Sequence, residues 1–470
     1  MTQSRSAAPP RVVVIGGGWA GLAAAVSAVQ AGAEVTLLEM AAQLGGRARR
    51  VDVDGMPLDN GQHILIGAYR QTLGLMRTVG VDVDVCLRRS PLELVRPDGS
   101  GLRLKAGAAM PAFAAAVWRQ TQWSWRDRLS LLTHCTGWLI GGFRCDPRLT
   151  VAQLTARLPQ RVTTELIEPL CVAALNTDAS QASAQVFLRV LKDALGGGAG
   201  SADLLLPMVD LSALMPLAAE GWLKSRGAEI RLSARVSELA LNDQGGWCVD
   251  GQAFDSVVLA VTSVEAARLT RPHHAAWAAQ ADALLHEPIA TVYARSTGAR
   301  LPLPMLALDA GPDAPAQFVF DRGALSSNTG SPSDERQRGL LAFVISGAAP
   351  WVAKGADATI TATLEQARRQ MGSLLGPSIE AVRLLVDKRA TFACVPGLQR
   401  PPSVIAKGLW AAADYIDGPY PATLEGAVRS GLAAGTLATA SAAETVPPAV
   451  PPRTRPAAAT PRSSSTPPGP

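Results

Sequence analysis

The chain lacks any long apolar run. Its 470 residues contain no stretch of about 18 or more consecutive apolar residues, the length that a membrane-spanning helix requires. The first ten residues, MTQSRSAAPP, also lack the apolar segment of a secretory signal. The sequence therefore predicts neither a spanning helix nor export. We expect a cytoplasmic protein, peripheral at the inner face of the cell membrane.

Cysteine is scarce and scattered. The six cysteines show no CxxC spacing and no pairing with histidine. Disulfide frameworks and metal sites depend on such spacing, so we expect free thiols, no disulfide and no metal site. The cysteines are Cys86, Cys135, Cys145, Cys171, Cys248 and Cys394.

Charged residues are also sparse, at 18% of the chain, and the two signs nearly balance. There are 44 Lys and Arg against 39 Asp and Glu, and Arg453, Arg455 and Arg462 lie in a tail that has no acid after Glu444. A nucleic-acid-binding protein needs a basic stripe with interleaved aromatic residues, and we find none. We expect no nucleic-acid partner; a mildly basic protein suits an anionic membrane surface better.

What the chain does have is apolar residues, 48% of the total, in alternating strand and helix patterns. Buried strands are predicted at Val12–Ile15 and Glu34–Leu38, with an alanine-rich helix at Leu22–Ala31 between them. This alternation is typical of an α/β protein. Further strands are predicted at Glu229–Leu232, Arg235–Leu241, Trp247–Val249, Ser256–Val261, Ile289–Arg295, Leu341–Ser346 and Leu409–Ala413, and the last helix at Leu424–Ala440.

A G-x-G-x-x-G motif, Gly16–Gly21, follows the first strand and opens the helix. Gly16 allows the tight turn, Gly18 lets the backbone approach a pyrophosphate, and Gly21 lets the helix pack on the strand. The helix N-terminus supplies N–H groups and partial positive charge for phosphates. Glu39 ends the second strand, where an acid accepts hydrogen bonds from a ribose. The motif therefore predicts a dinucleotide site.

The motif alone does not separate NAD from FAD, but the following residues do. Gly45 and Gly46 let the backbone close over a cofactor, and Arg47 can offset pyrophosphate charge. This L-G-G-R extension resembles the FAD-binding signature of the amine oxidase and carotenoid desaturase superfamily; the alternative is a glycine turn with a solvated arginine. The resemblance implies FAD as the cofactor.

The C-terminal part resembles the same superfamily. A predicted strand ends at Asp414, and the resemblance implies that this acid holds the ribityl chain, although Ala413 stands where the family usually has Gly. The last helix would direct its N-terminus, at Gly426 and Ala427, to the pyrimidine edge of the flavin and stabilise negative charge there. By the same resemblance, the backbone of Val236, in a predicted strand, would meet the adenine.

The implied fold class is α/β: a Rossmann-like FAD-binding domain of the glutathione-reductase-like type, with an inserted α+β substrate domain and a helical part. The tail is rich in Pro, Ala, Ser and Thr and cannot bury a core. We expect the FAD-binding domain in 11–80, 226–270 and 401–442, the substrate domain in 81–225 and 271–400, and a disordered tail in 443–470.

Longer stretches narrow the resemblance. The most specific are DNGQH at Asp59–His63 and DYIDGPYPATLEGAVRSG from Asp414. From about Arg11 to Thr436, the chain resembles the squalene-associated FAD-dependent desaturases, now understood as hydroxysqualene dehydroxylases of bacterial hopanoid biosynthesis. Further stretches that carry the resemblance are Gly67–Tyr69, Glu168–Cys171, Ala174–Thr177, Pro207–Ala213 and Gln317–Asp321.

The resemblance implies reduction of hydroxysqualene to squalene with loss of water, using reduced FAD. The hydroxyl is allylic, so its protonated departure leaves a stabilised cation for a hydride to quench, in a long, apolar and dry site. The acid that protonates the hydroxyl is not identified. His63, Tyr415 and Asp417 are the candidates for this acid. Alternatively, His63 fixes its loop or touches the flavin, and Tyr415 and Asp417 belong to a structural turn. No second G-x-G-x-x-G follows a strand, so the electron donor also stays open.

Two regions allow more than one interpretation. Cys171 and Asn176 either line the substrate pocket or, as we favour, help to pack a helix against the rest of the substrate domain. The helices predicted within Met110–Phe143 either lie in the headgroup region and admit a lipid, or pack in the substrate domain. Their aromatic and basic residues are Trp118, Arg119, Trp123, Trp125, Arg126, Arg128 and Trp138.

Other functions also fit these features. One is a carotenoid-type desaturase acting on a C30 or C40 isoprenoid, which would share the fold and flavin site. Another, of a different class, is a non-catalytic flavin-binding isoprenoid carrier. An amine oxidase is disfavoured because its substrates need an aromatic cage, and the chain has only four Tyr and eight Phe.

Overall fold

The computed structural model describes residues 8–242, 245–326 and 337–445, so most of the predicted tail lies outside the described residues. This part of the chain contains one six-stranded sheet, one five-stranded sheet and four sheets of two or three strands. The two large sheets belong to the two domain types that the sequence predicts, although the exact domain boundaries stay predictions.

Short strands and helices alternate along the described chain. The strands are β1 (Arg11–Ile15), β2 (Glu34–Leu38), β3 (Arg50–Val53), β4 (Met56–Asp59), β5 (Leu65–Ile66), β6 (Leu87–Ser90), β7 (Glu93–Val95), β8 (Gly101–Arg103), β9 (Leu204–Pro207), β10 (Glu229–Arg231), β11 (Leu239–Leu241), β12 (Trp247–Val249), β13 (Gln252–Phe254), β14 (Ser256–Leu259), β15 (His286–Arg295), β16 (Met305–Ala307), β17 (Phe318–Asp321), β18 (Leu340–Ile345), β19 (Glu380–Phe392), β20 (Val404–Ala406) and β21 (Leu409–Ala411). The helices are α1 (Trp19–Gln30), α2 (Arg70–Thr78), α3 (Val83–Cys86), α4 (Ala109–Trp118), α5 (Trp125–Ile140), α6 (Val151–Leu154), α7 (Gln160–Val162), α8 (Glu168–Leu175), α9 (Ala184–Gly196), α10 (Leu211–Leu214), α11 (Pro216–Lys224), α12 (Ser263–Thr270), α13 (Ala275–Asp282), α14 (Arg322–Ser326), α15 (Ala349–Lys354), α16 (Ala356–Met371) and α17 (Leu424–Thr445).

The six-stranded sheet is built from three distant parts of the chain, in the order β10-β2-β1-β14-β21-β20. All neighbouring pairs are parallel except β20 with β21. The apolar run Val12–Ile15 is buried, as expected for a central parallel strand covered by helices on both faces. This sheet confirms the predicted Rossmann-like fold class, and β2 has the predicted bounds.

Helices α1 and α17 pack closely on one another beside this sheet. A Cβ atom at Gly431 would lie 2.2 Å from the carbonyl oxygen of Ala20, and one at Gly435 would lie 2.2 Å from that of Ala24. The two glycines therefore let α17 approach the backbone of α1. This contact carries the start of the last helix towards the glycine-rich loop that precedes α1.

The five-stranded sheet, β16-β17-β18-β15-β19, is antiparallel. Successive residues of β15 point to opposite faces, so Ala290 and Val292 join the core beneath α16 while Tyr293 faces the segment that contains DNGQH. The ladder shifts register opposite Pro288, which has no N–H to donate. Three residues of β19, 388–390, bulge out there.

The structure corrects one predicted strand. The predicted strand Arg235–Leu241 is limited to Leu239–Leu241, so Val236 does not lie in a strand. The reason is local: the Asp250 carboxylate accepts hydrogen bonds from the backbone N–H groups of Ser237 and Glu238, at 3.0 and 2.8 Å. Those N–H groups are therefore taken before a strand ladder can use them.

Candidate active site

The three motif glycines differ in how much room the fold leaves around them. Gly16 has a φ of +106°, and a Cβ there would lie 2.3 Å from the carbonyl oxygen of Ala260. A Cβ at Gly21 would lie 1.8 Å from the carbonyl oxygen of Gly16. At Gly18 the nearest atom to a Cβ is Cα of Gly46, at 3.7 Å. The fold itself requires Gly16 and Gly21, whereas Gly18 borders open space.

The start of α1 is ready to receive an anion. No side chain of the described residues caps its N-terminus, so its first backbone N–H groups stay available. Glu39, which is buried, accepts hydrogen bonds from the N–H of Gly17 at 2.6 Å and of Ala41 at 2.7 Å. A carboxylate has about four acceptor positions, so Glu39 can still accept a bond from a ribose hydroxyl.

The L-G-G-R extension packs on the first glycine loop. Gly45 and Gly46 have positive φ angles of +111° and +60°, and the N–H of Gly45 donates to the carbonyl oxygen of Gly17 at 2.9 Å. A Cβ at Gly46 would lie 3.0 Å from Cα of Gly18. The two glycine-rich loops are thus in contact, and a side chain at Gly46 would press on the backbone of Gly18.

Arg47 and Asp414, 367 residues apart, form an ion pair. The Arg47 Nη2 atom lies 2.5 Å from Asp414 Oδ1, and Nη1 donates to the carbonyl oxygen of Ala390 in the β19 bulge at 2.6 Å. The bulge therefore presents a carbonyl group to the guanidinium. The pair brings together the two residues for which the resemblance implies pyrophosphate and ribityl contacts, and both contacts stay predictions.

The start of α17 lies close to Asp414 along the chain, and the N–H of Ala422 donates to the carbonyl oxygen of Asp414 at 3.2 Å. Thr423 caps the helix, because its Oγ1 accepts from the N–H of Gly426 and its carbonyl oxygen accepts from the N–H of Ala427, each at 3.0 Å. A Cβ at Gly426 would lie 1.9 Å from the carbonyl oxygen of Tyr420. The close approach of the Tyr420 carbonyl group therefore requires a glycine at position 426. The role of Gly426 and Ala427 towards the flavin stays a prediction.

Val236 lies in an irregular segment beside Glu39. It is buried, and its carbonyl oxygen accepts a hydrogen bond from Arg268 Nη2 at 2.8 Å. The preceding Ala234 donates its N–H to the carbonyl oxygen of Glu39 at 2.9 Å. The predicted strand is wrong here, and the predicted adenine contact stays a prediction.

His63 lies in the DNGQH loop, where its role stays a prediction. Its Nδ1 lies 3.4 Å from the carbonyl oxygen of Gly61. Burial lowers the pKa of His63, and the nearby charge of Arg47 lowers it further, while the hydrogen bond to Gly61 opposes both. Its imidazole is therefore neutral around neutral pH, which disfavours it as the acid that protonates a hydroxyl.

The two other acid candidates lie in different surroundings. Tyr415 is buried and donates its hydroxyl to the carbonyl oxygen of Val261 at 3.2 Å; burial, with the Asp414 charge, raises the pKa of Tyr415. Asp417 is 72% exposed and forms an ion pair with Arg400 at 3.2 Å. Neither position favours proton donation in a dry site, and the catalytic acid stays unassigned.

Cys171 and Asn176 lie at a junction between α8 and the five-stranded sheet. Cys171 is buried, with its Sγ 3.5 Å from the carbonyl oxygen of Thr177. Asn176 donates to Oγ1 of Thr391 at 2.9 Å and accepts from the N–H of Gly347 at 2.7 Å. These contacts favour the packing interpretation for both residues.

Two features of the site were missed by the sequence reasoning. Asp59 and Arg322 form a buried ion pair at 3.4 Å; burial raises the pKa of Asp59 to about 6 although Arg322 opposes this. His286 lies near Arg47 and within 3.5 Å of Ser263; burial lowers the pKa of His286, and the charge of Arg47 lowers it further. Asp59 begins the DNGQH segment and Arg322 follows the stretch Gln317–Asp321, both of which carry the resemblance. No sequence signal indicates that the two residues pair.

The tryptophan-rich helices divide between core and surface. Trp123 lies between α4 and α5 and is buried, with its indole N–H donating to Glu165 at 2.7 Å. Trp118 and Trp125 are exposed, as is Ile140 at the end of α5. Within residues 8–242, 245–326 and 337–445, no helix is both long and apolar enough to cross a membrane.

The site fits FAD. Open space at Gly18, the uncapped start of α1 and the acid at Glu39 together provide room, N–H groups and a ribose acceptor for a dinucleotide. The second glycine loop and Asp414 extend the site beyond a minimal nucleotide-binding unit.

Comparison with known proteins agrees with this fold and with FAD as the cofactor. A family described as flavin-containing amine oxidoreductases matches residues 19–437. The chain is 29% identical to a hydroxysqualene dehydroxylase from Rhodopseudomonas palustris, over 92% of this chain and 98% of that protein. It is 24% identical to a 15-cis-phytoene desaturase from Arabidopsis thaliana, over 91% of this chain and 79% of that protein. Among solved structures, an oxidoreductase from Methanosarcina mazei has the same fold, with a TM-score of 0.68, 15% identity, and coverage of 90% of this chain and 99% of that one.

Proposed function

Because this chain belongs to the flavin-containing amine oxidoreductase family, we propose that it reduces hydroxysqualene to squalene. It is an oxidoreductase with FAD as its cofactor. The named reaction is supported by similarity to a hydroxysqualene dehydroxylase over nearly the full length of both proteins. The DNGQH segment and the C-terminal stretch from Asp414, on which the resemblance in the sequence rests, both contact the L-G-G-R extension.

The observation that carries the proposal is an apolar layer directly beside the cofactor loops. The side-chain amide of Asn60 donates to the carbonyl oxygen of Arg47 at 2.9 Å, which ties the DNGQH loop to the L-G-G-R extension. Four residues later, Ile64 packs against a buried apolar cluster, as do Ile289 and Leu385 of the five-stranded sheet. A hydrocarbon chain would find an apolar surface there, next to the cofactor.

The reaction balances as an allylic alcohol, two electrons and two protons giving an alkene and water. FAD held at the start of α1 and by Glu39 would, when reduced, supply the two electrons as a hydride. The apolar layer at Ile64 and Ile289 would keep water away from the carbon that loses the hydroxyl.

A single anaerobic turnover tests the proposed reaction. The purified yellow protein is reduced chemically, mixed with hydroxysqualene in detergent, and the extract is analysed by gas chromatography and mass spectrometry. We expect about one squalene per flavin, formed as the flavin absorbance returns; free reduced FAD without protein is the control. Unchanged alcohol together with stable reduced flavin would overturn the proposal.

A desaturase acting on a C30 or C40 polyene is the second candidate, because the chain is also similar to a 15-cis-phytoene desaturase. This reaction runs in the oxidative direction, so the oxidised protein would be offered polyenes instead. New double bonds with loss of the yellow colour would identify a desaturase. Binding without turnover in either direction would identify a carrier.

We also propose that α5 lies on an anionic membrane surface, where a C30 alcohol is dissolved. Trp125, Leu129 and Ile140 share one exposed helical face, at spacings of four and eleven residues, and Trp118 is exposed nearby in sequence. Arg126 stacks on Trp125 at 5.4 Å and supplies positive charge.

Flotation with vesicles containing an anionic lipid tests this membrane contact. We expect the double variant Trp125→Ser, Ile140→Ser to lose about tenfold or more of the vesicle-bound fraction, because it removes two large apolar groups from the surface. Leu241→Ser, which changes an equally exposed apolar residue in β11, is the matched control and should bind as the unmodified protein does. Equal flotation of all three proteins would contradict the proposal.

A further inference from the structure

Three buried polar atoms beside the DNGQH loop have no hydrogen-bond partner among the described residues. They are Oε1 and Nε2 of Gln62 and Oγ1 of Thr291. Thr291 is only 1% exposed. The backbone next to Gln62 approaches Thr291, because a Cβ at Gly61 would lie 3.9 Å from the Thr291 hydroxyl oxygen. A buried polar atom without a partner destabilises a protein, so such a group needs a ligand or a functional reason.

The surroundings of these atoms are apolar. Thr291 shares a face of β15 with Ile289 and Tyr293, since alternate residues of a strand point the same way. That face packs against the DNGQH segment, where the Tyr293 hydroxyl donates to the carbonyl oxygen of Asp59 at 2.9 Å. Both neighbours of Thr291 on this face belong to, or pack on, the apolar cluster that contains Leu58. The unpaired atoms are thus a polar spot in an apolar layer.

We propose that Gln62 and Thr291 bind the hydroxyl group of an alcohol substrate, which rests on the proposed reduction of hydroxysqualene. An alcohol both donates and accepts hydrogen bonds, and an amide beside a threonine hydroxyl offers donors and acceptors to match. A hydrocarbon chain would leave all three atoms unpaired. The pair therefore selects the alcohol over a pure polyene, and it favours release of squalene once the hydroxyl has left.

The two residues act on binding, so their test does not need turnover. Hydroxysqualene and squalene are titrated separately, in the same detergent, into the oxidised FAD-containing protein, and binding is followed by the perturbed flavin absorbance. We expect the unmodified protein to prefer the alcohol by at least about tenfold. In Thr291→Val and in Gln62→Leu this preference should fall towards one, with squalene affinity unchanged. Thr291→Ser, which restores a hydroxyl, should recover it.

The possible results separate this proposal from the proposed function. If Thr291→Val and Gln62→Leu retain the preference but shift the flavin content or the flavin reduction potential, the two groups face the cofactor and the proposal is wrong. If the unmodified protein binds alcohol and hydrocarbon equally yet forms squalene in the single turnover, this proposal fails and the reaction stands. If it prefers the alcohol but forms no squalene, the binding site stands and the reaction fails. Thermal unfolding of each flavin-loaded variant shows whether it is folded.

Discussion

Gly18→Glu is expected to give a folded protein that does not hold FAD. A Cβ at this position meets nothing closer than 3.7 Å, so the chain itself has room for a side chain. The same space would receive a pyrophosphate in the proposed site, and a carboxylate there would occupy its place and repel its charge. We expect the affinity for FAD to fall at least about a thousandfold, about 4 kcal/mol of binding free energy.

Flavin content per protein, read from the visible absorbance of the purified variant, measures this effect. Circular dichroism of the flavin-free variant shows whether the fold survives. Gly21→Ala is the contrasting variant, because its Cβ would lie 1.8 Å from the carbonyl oxygen of Gly16 and we expect it to disrupt the fold. A Gly18→Glu protein that purifies yellow with full flavin content would refute the placement of the cofactor.

Glu425→Ala is expected to destabilise the protein strongly, because it removes a fully buried carboxylate from between two helices. Glu425 is fully buried, and its carboxylate accepts from the backbone N–H groups of Gln71 and Thr72, at 3.1 and 2.9 Å, and from the Thr72 hydroxyl at 2.7 Å. It thereby caps α2 from another helix, since Tyr69 at the N-cap position provides no side-chain bond. We expect the free energy of unfolding to fall by about 3 kcal/mol.

Denaturant unfolding of the flavin-loaded protein measures that loss. The Arg429 guanidinium is a fourth donor to the Glu425 carboxylate, at 3.5 Å. Thr72→Val is the matched control, because it removes only one of the four donors and should lower the free energy of unfolding by about 1 kcal/mol. Losses of equal size in the two variants would show that the backbone N–H groups and Arg429 contribute nothing. Because Glu425 lies in the first turn of α17, we further expect its loss to weaken FAD binding, through displacement of the helix start.

The glycine loops illustrate how far local sequence reasoning reaches. The turn at Gly16 and the close packing at Gly21 depend on backbone geometry within one βαβ unit, and the structure has both. The pairing of Gly18 with Gly45 was not predicted, although both loops were predicted to meet the same cofactor. Val236 shows the opposite case, because an aspartate fourteen residues later takes the N–H groups that a strand would have used.

The three candidates for the catalytic acid show what local sequence patterns do not reveal. His63, Tyr415 and Asp417 were chosen for residue type and position in the chain, but proton donation depends on burial and on neighbouring charges. The ion pair of Asp417 with Arg400 and the burial that lowers the pKa of His63 both come from contacts with residues that are not their neighbours in the chain. The unpaired polar atoms of Gln62 and Thr291 are likewise invisible in the sequence. The two residues are 229 positions apart, and only folding brings the loop at Gly61 next to Thr291.

The sequence by itself determined the α/β class, the glycine-rich βαβ unit and the resemblance to FAD-dependent isoprenoid enzymes, because these depend on local patterns and on short motifs. The tertiary structure alone decided which charges are paired, which polar groups lie buried without partners, and which helix face reaches the surface. The physical reason is that desolvation and pairing act between residues that are near in space, whatever their separation along the chain. For this protein those distant contacts, such as Arg47 with Asp414 and Glu425 with Thr72, complete the site.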